Sequence, residues 1–128
     1  MTAGAAGRKV LVVEDESLIA MDIEDTLLAL GCEIVGPTGK LETALRLARE
    51  ERLDAAVLDV TVTGGKTYAV AEQLLARGIP FVLASGYGAW ALPDDLRDRP
   101  RLTKPFTPAQ LKEAVLRLLG QPARSTPG

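Results

Sequence analysis

Short apolar bursts alternate with helical periods along the whole chain. Val10–Val13, Glu33–Val35, Ala55–Leu58 and Phe81–Ala84 are compact apolar runs, the pattern of strands buried on both faces. Between the first two, Ile19, Ile23, Leu27 and Leu30 recur at helical spacing, with Asp22, Asp25 and Thr26 on the opposite side and Gly31 as a stop. Leu41, Ala44, Leu45 and Ala48 form a second stripe; Ala71, Leu74 and Leu75 form a third, closed by Gly78. Thr107-Pro108-Ala109-Gln110 has the form of a capping box with proline at the first helical position, and leads into Leu111, Val115, Leu118 and Leu119. Two stretches are less regular. Arg101–Thr103 is a short, polar fifth strand, and 86–100, with Gly86, Gly88, Pro93 and Pro100, allows only a short or loose fourth helix.

Strand and helix in strict alternation predict an α/β fold with a parallel sheet covered on both faces. With five strands, the expected form is a flavodoxin-like doubly wound sheet in the order 2-1-3-4-5. A chain of 128 residues fits one domain: a flexible lead-in over 1–7, a folded unit over 8–119 and a disordered tail over 120–128.

Composition narrows the chemistry. A net charge of −2 gives no electrostatic case for nucleic acid or an anionic membrane. No apolar run approaches the roughly 20 residues of a membrane span, and Met1–Lys9 lacks the apolar stretch of a signal peptide. Cys32 is a lone cysteine, expected as a small buried residue of the second strand in a reducing, cytoplasmic setting. The sequence contains no histidine, which excludes a Ser-His-Asp triad, imidazole metal sites and a phosphohistidine carrier.

In open α/β sheets, ligands bind at the carboxyl ends of the strands. Glu14 and Asp15 follow the first strand, Asp59 the third, Ser85 the fourth and Lys104 the fifth. The predicted strand order makes these neighbours, so three carboxylates, a hydroxyl and a lysine converge. Carboxylates packed together raise one another's pKa unless a cation neutralises them. An open all-oxygen site with room for waters favours Mg²⁺ over Ca²⁺. Lys104 adds a second positive charge, Asp59 can act as a nucleophile toward phosphorus, and Ser85 can donate a hydrogen bond to the transferred group. Any one of these residues alone reads more readily as solvated loop chemistry; their convergence favours a site.

The stretch VVEDE, the LDV around Asp59, the ASG around Ser85 and Lys104-Pro105-Phe106 resemble the receiver domains of two-component response regulators, over about residues 8–119. The resemblance implies that Asp59 is the phosphoacceptor, loaded from a sensor histidine kinase or a histidine phosphotransfer protein. It implies that Asp15 and Asp59 bind Mg²⁺ directly, Glu14 through water, and Thr61 through its backbone carbonyl. Ser85 and Lys104 would contact the phosphoryl group. The segment from Leu58 to Gly88 is also similar to the FATGUY subgroup, whose members are often single-domain; Val82–Tyr87 here reads VLASGY.

Two departures from ordinary receivers follow. Thr63-Gly64-Gly65-Lys66 replaces the usual proline-containing loop, and Arg101 stands where an aromatic switch residue is expected. Tyr87 is the candidate replacement switch, and Trp90 either packs the adjoining loop or contacts a partner. With no effector domain expected after the last helix, output would be a protein contact or phosphoryl shuttling, and the chain would be no enzyme beyond self-catalysed turnover of Asp59. The competing readings are a pseudo-receiver that works without phosphorylation, an aspartate-nucleophile phosphatase and a flavodoxin-like cofactor carrier. The phosphatase typically needs a second Asp where Thr61 stands; the cofactor carrier needs a phosphate loop where Glu14-Asp15 would repel one.

Overall fold

The computed structural model describes residues 5–86 and 92–124. Five parallel strands form one sheet: β1 (Lys9–Val13), β2 (Glu33–Thr38), β3 (Ala55–Asp59), β6 (Phe81–Gly86) and β7 (Arg101–Lys104). Their spatial order is β2-β1-β3-β6-β7, which is the predicted 2-1-3-4-5. Alternate residues of each strand point to opposite faces. Val10, Val12 and Val57 accordingly pack with Ile23 and Leu27 of α1 (Ser17–Ala29) and Leu111, Val115 and Leu118 of α4 (Pro108–Arg124). Leu11, Val13 and Leu58 pack with Ala44 and Ala48 of α2 (Leu41–Glu50) and Val70, Ala71 and Leu74 of α3 (Tyr68–Ala76). The three central strands are the continuous apolar runs because both their faces are covered.

The edge strands differ from expectation for the same reason. Glu33 of β2 is exposed, and Ile34 and Val35 are half-buried, since an edge strand has a neighbour on one side only. Cys32 is buried beside Val10 and Leu27 but precedes β2 rather than lying within it. The capping box forms in both directions: the Thr107 amide donates to Gln110 Oε1 at 2.9 Å, and the Gln110 amide donates to Thr107 Oγ1 at 3.1 Å. The weak region between β6 and β7 contains, among the described residues, a single 3₁₀ turn at Asp94–Leu96 anchored by the buried Leu96.

Toward both ends, residues 5–7 and 120–124 take up hydrogen-bonded backbone where the sequence predicts none. Ala5–Gly7 were expected in a flexible lead-in; instead Ala5 is buried in the α1–α4 cluster, and the Gly7 amide donates to the Gly31 carbonyl at 2.8 Å. A small side chain with a satisfied turn docks where periodicity carries no signal. The expected tail from 120 is also corrected over its first part, because α4 continues through Gly120 and Pro122 to Arg124. Extending a nucleated helix adds a backbone bond at each residue that carries an N–H, which Pro122 does not; loss of the apolar period does not by itself end it. Residues 125–128 lie outside the described residues, as do Tyr87 and Trp90.

A second, two-stranded sheet was not anticipated. β4 (Thr61–Val62) pairs antiparallel with β5 (Gly65–Lys66), Thr61 opposite Lys66. This ribbon grows directly out of the end of β3 and turns back through Thr63 and Gly64.

Candidate metal and phosphoryl site

The strand order brings Glu14, Asp15, Asp59, Ser85 and Lys104 to one end of the sheet. Glu14 and Asp15 follow one another at the end of β1 and separate in burial: Glu14 is 3% exposed, whereas Asp15 is exposed to solvent. Donor oxygens of Glu14, Asp15 and Asp59 lie within 4.8 Å of one another. The close approach extends to Gly39, where an added Cβ would sit 2.6 Å from the Asp15 Cα. Only glycine leaves room for Asp15 there.

Lys104 closes the inner side. β6 lies between β7 and β3, so the lysine crosses the end of β6 to place its ammonium 3.0 Å from Asp59 Oδ2 and 2.9 Å from Glu14 Oε1. Hydrogen bonds run from Nζ to Asp59 Oδ2 and to Glu14 Oε2. Glu14 Oε1 lies 2.9 Å from Nζ but forms no hydrogen bond among the described residues. Burial pushes the Glu14 carboxyl up to about 7, against the opposing pull of its Lys104 and Glu16 hydrogen bonds. Burial lowers the Lys104 ammonium pKa, but the Glu14 and Asp59 hydrogen bonds outweigh it and the net shift is upward. The lysine therefore stays charged while Glu14 is poised to exchange a proton.

Ser85 is buried, one residue beyond Ala84, the β6 partner of Asp59. It pairs with Thr103 across β6 and β7. Thr61 is exposed and its amide donates to Asp59 Oδ1 at 3.3 Å.

An oxygen-only donor set, two of its carboxylates buried, together with one carboxylate oxygen left without a hydrogen bond, fits a hard divalent cation of the Mg²⁺ type. Asp15 supplies the exposed side through which such an ion can enter with its waters.

No family model matches the chain. The chain is 32% identical over 115 residues to the transcriptional regulatory protein PdtaR of Mycobacterium tuberculosis, aligning 87% of this chain with 56% of that protein. It thus spans about half the length of the curated relatives it matches. The solution structure of SdrG from Sphingomonas melonis Fr1 is 43% identical, with a TM-score of 0.76 over 90% of this chain and 98% of that one. The receiver domain of the sensor histidine kinase PA1611 from Pseudomonas aeruginosa PAO1, with a magnesium ion coordinated in its active site cleft, is 25% identical. Its TM-score is 0.75 over 90% of this chain and 99% of that domain. The chain belongs to the response regulator receiver domains.

This receiver carries supporting residues that sequence reading did not single out. Thr67 is fully buried, and its hydroxyl donates to the backbone carbonyl of Asp59 at 2.7 Å, tying the strand end to the start of α3. Lys66 Nζ donates to Thr61 Oγ1 at 2.8 Å. Glu16 stands 3.7 Å from Lys104 on the exposed side, and its amide donates to Glu14 Oε2. Of these, only Lys66 had a trace in the sequence, as the last residue of the unusual loop Thr63-Gly64-Gly65-Lys66.

Proposed function

We propose that this receiver accepts a phosphoryl group on Asp59 from a phosphohistidine of a sensor kinase or a histidine phosphotransfer protein, with Mg²⁺ bound by Asp15, Asp59 and the Thr61 carbonyl and, through water, by Glu14. The observation that carries the reading is the Lys104 ammonium held 3.0 Å from Asp59 and 2.9 Å from Glu14 within a cluster of three carboxylates. An Asp59 oxygen attacks phosphorus, the bond from phosphorus to the histidine nitrogen breaks, and the imidazole departs with that electron pair. The product is an acyl phosphate, later hydrolysed by water. When bound, the metal neutralises charge on the phosphoryl oxygens. Lys104 holds the carboxylate in place and remains charged to pair with the transferred group, while Ser85 donates a hydrogen bond to it. The amide of Thr61 steadies the other carboxylate oxygen. Turnover on the protein's own side chain makes this a switch rather than an enzyme on external substrates.

Output is then a protein contact, or the phosphoryl group is passed on. Supporting a contact at the β7 edge is an open groove of about 840 Å³ between β7 and α4, lined by Arg101, Leu102, Gln110, Glu113 and Leu118. Among the described residues no helix is long and apolar enough to cross a membrane.

The test is incubation with acetyl phosphate and Mg²⁺ followed by intact mass. The expected result is a gain of one phosphoryl group that requires the metal and vanishes in Asp59→Asn. No gain in the wild type favours the pseudo-receiver reading.

A further inference from the structure

The charge of the pocket changes when the proposed reaction occurs. Glu14, Asp15 and Asp59 are offset by Lys104 and one divalent cation. Turning Asp59 into its acyl phosphate replaces a single negative charge by about two, leaving close to one negative charge without a counterpart. A cation on the exposed side would supply it.

The β4–β5 ribbon presents one. Thr61 lies directly opposite Lys66, and the two are joined by the 2.8 Å hydrogen bond from Nζ to Thr61 Oγ1. Thr61 in turn donates its amide to Asp59 Oδ1. The ribbon is anchored at its turn: the Thr63 amide donates to the Gly39 carbonyl at 3.0 Å, and the Leu41 amide donates to the Thr63 carbonyl at 2.9 Å. Gly64 and Gly65 adopt φ of +107° and +133°, which side chains rarely tolerate. A Cβ at Gly64 would also meet Leu41 Cβ at 3.0 Å. The backbone of the ribbon is thus fixed, while Lys66 is exposed on a flexible four-carbon stem with donors to spare. Its bond to an exposed hydroxyl is weak enough to exchange.

We propose that Lys66 is a second cation of the phosphorylated pocket, carried on the ribbon and moving from Thr61 Oγ1 to a phosphoryl oxygen once Asp59 is modified. The proposal rests on the phosphoacceptor reading above. A lysine that only satisfied a surface threonine would leave ligand binding unchanged.

The two readings separate because removing a cation acts oppositely on anions and cations. The 128-residue chain and its Lys66→Met and Lys66→Arg variants are compared by calorimetry, first with Mg²⁺ alone and then with beryllofluoride at saturating Mg²⁺. Lys66→Met is expected to weaken beryllofluoride binding about three- to tenfold, with Mg²⁺ affinity unchanged or slightly tighter and Lys66→Arg close to wild type. Equal beryllofluoride affinity in Lys66→Met and wild type overturns the proposal. So does a parallel loss for both ligands, which would mark Lys66 as a scaffold for the ribbon. Failure of the wild type to bind beryllofluoride with Mg²⁺ overturns the phosphoacceptor reading together with this one.

Discussion

The two walls of the acidic pocket are built differently. On the inner wall, the buried Glu14 and Asp59 and the half-buried Lys104 are locked together by ion pairs of 2.9 to 3.0 Å. On the outer wall, Asp15, Thr61 and Lys66 are exposed and held by backbone anchors and one side-chain bond. The inner wall is where burial can shift protonation, and there Glu14 is pushed up to about 7. The outer wall is the side open to solvent. A site that must hold charge and also exchange ligands needs both.

The comparison breaks most severely if the inner lysine is removed. In Lys104→Met the buried Glu14 and Asp59 carboxylates lose their cation, which costs about 3 kcal/mol at pH 8. Much less is lost at pH 5, where a protonated Glu14 no longer needs a partner. Urea unfolding at the two pH values reads the difference, and an equal loss at both would remove the electrostatic account of the inner wall.

A second prediction concerns Glu14 itself. Its carboxyl pKa is raised on folding from 4.5 to about 7, so the folded state binds its proton more tightly than the unfolded state does. The resulting stability is fully present below about 4.5 and is lost as pH rises through about 7. Between pH 5 and pH 8 the metal-free protein should lose on the order of 2 kcal/mol. Glu14→Gln should flatten that slope, and saturating Mg²⁺ should restore stability at pH 8 with little effect at pH 5. Chemical denaturation across the pH range checks all three.

The smallest effect sharpens the boundary between the walls. Thr67→Val leaves the Asp59 carbonyl without its buried donor and should cost about 1 kcal/mol, whereas Thr67→Ser should recover most of it. Thermal melts decide this; equal melting of all three proteins would mean that the hydroxyl does not steady the strand end.

The inner wall was legible in the sequence, as were Asp15 and Thr61 of the outer wall; the ribbon that carries Lys66 was not. VLVV and AAVL are continuous apolar runs because β1 and β3 are covered on both faces, and their polar terminators then had to converge. The edge strands blur that pattern, which is why Glu33 and the polar Arg101–Lys104 read weakly. Two-residue strands have no period at all, so the ribbon left only its paired glycines as a trace. That Glu14 and Asp15 differ in burial follows from alternation at a strand end, yet which of them turns inward depends on Lys104, ninety residues away. Thr67 gave no signal because a buried threonine bonded to a carbonyl is indistinguishable in sequence from one capping a helix.

The central claim is that a divalent cation and Lys104 together render this acidic cluster tolerable and prime Asp59 for phosphorus. It is tested most directly by a crystal structure grown with Mg²⁺ and beryllofluoride. The account predicts metal density among Glu14, Asp15 and Asp59, with the beryllofluoride joined to the Asp59 carboxylate and contacted by Lys104. A pocket without density, its carboxylates turned apart into solvent, would contradict it.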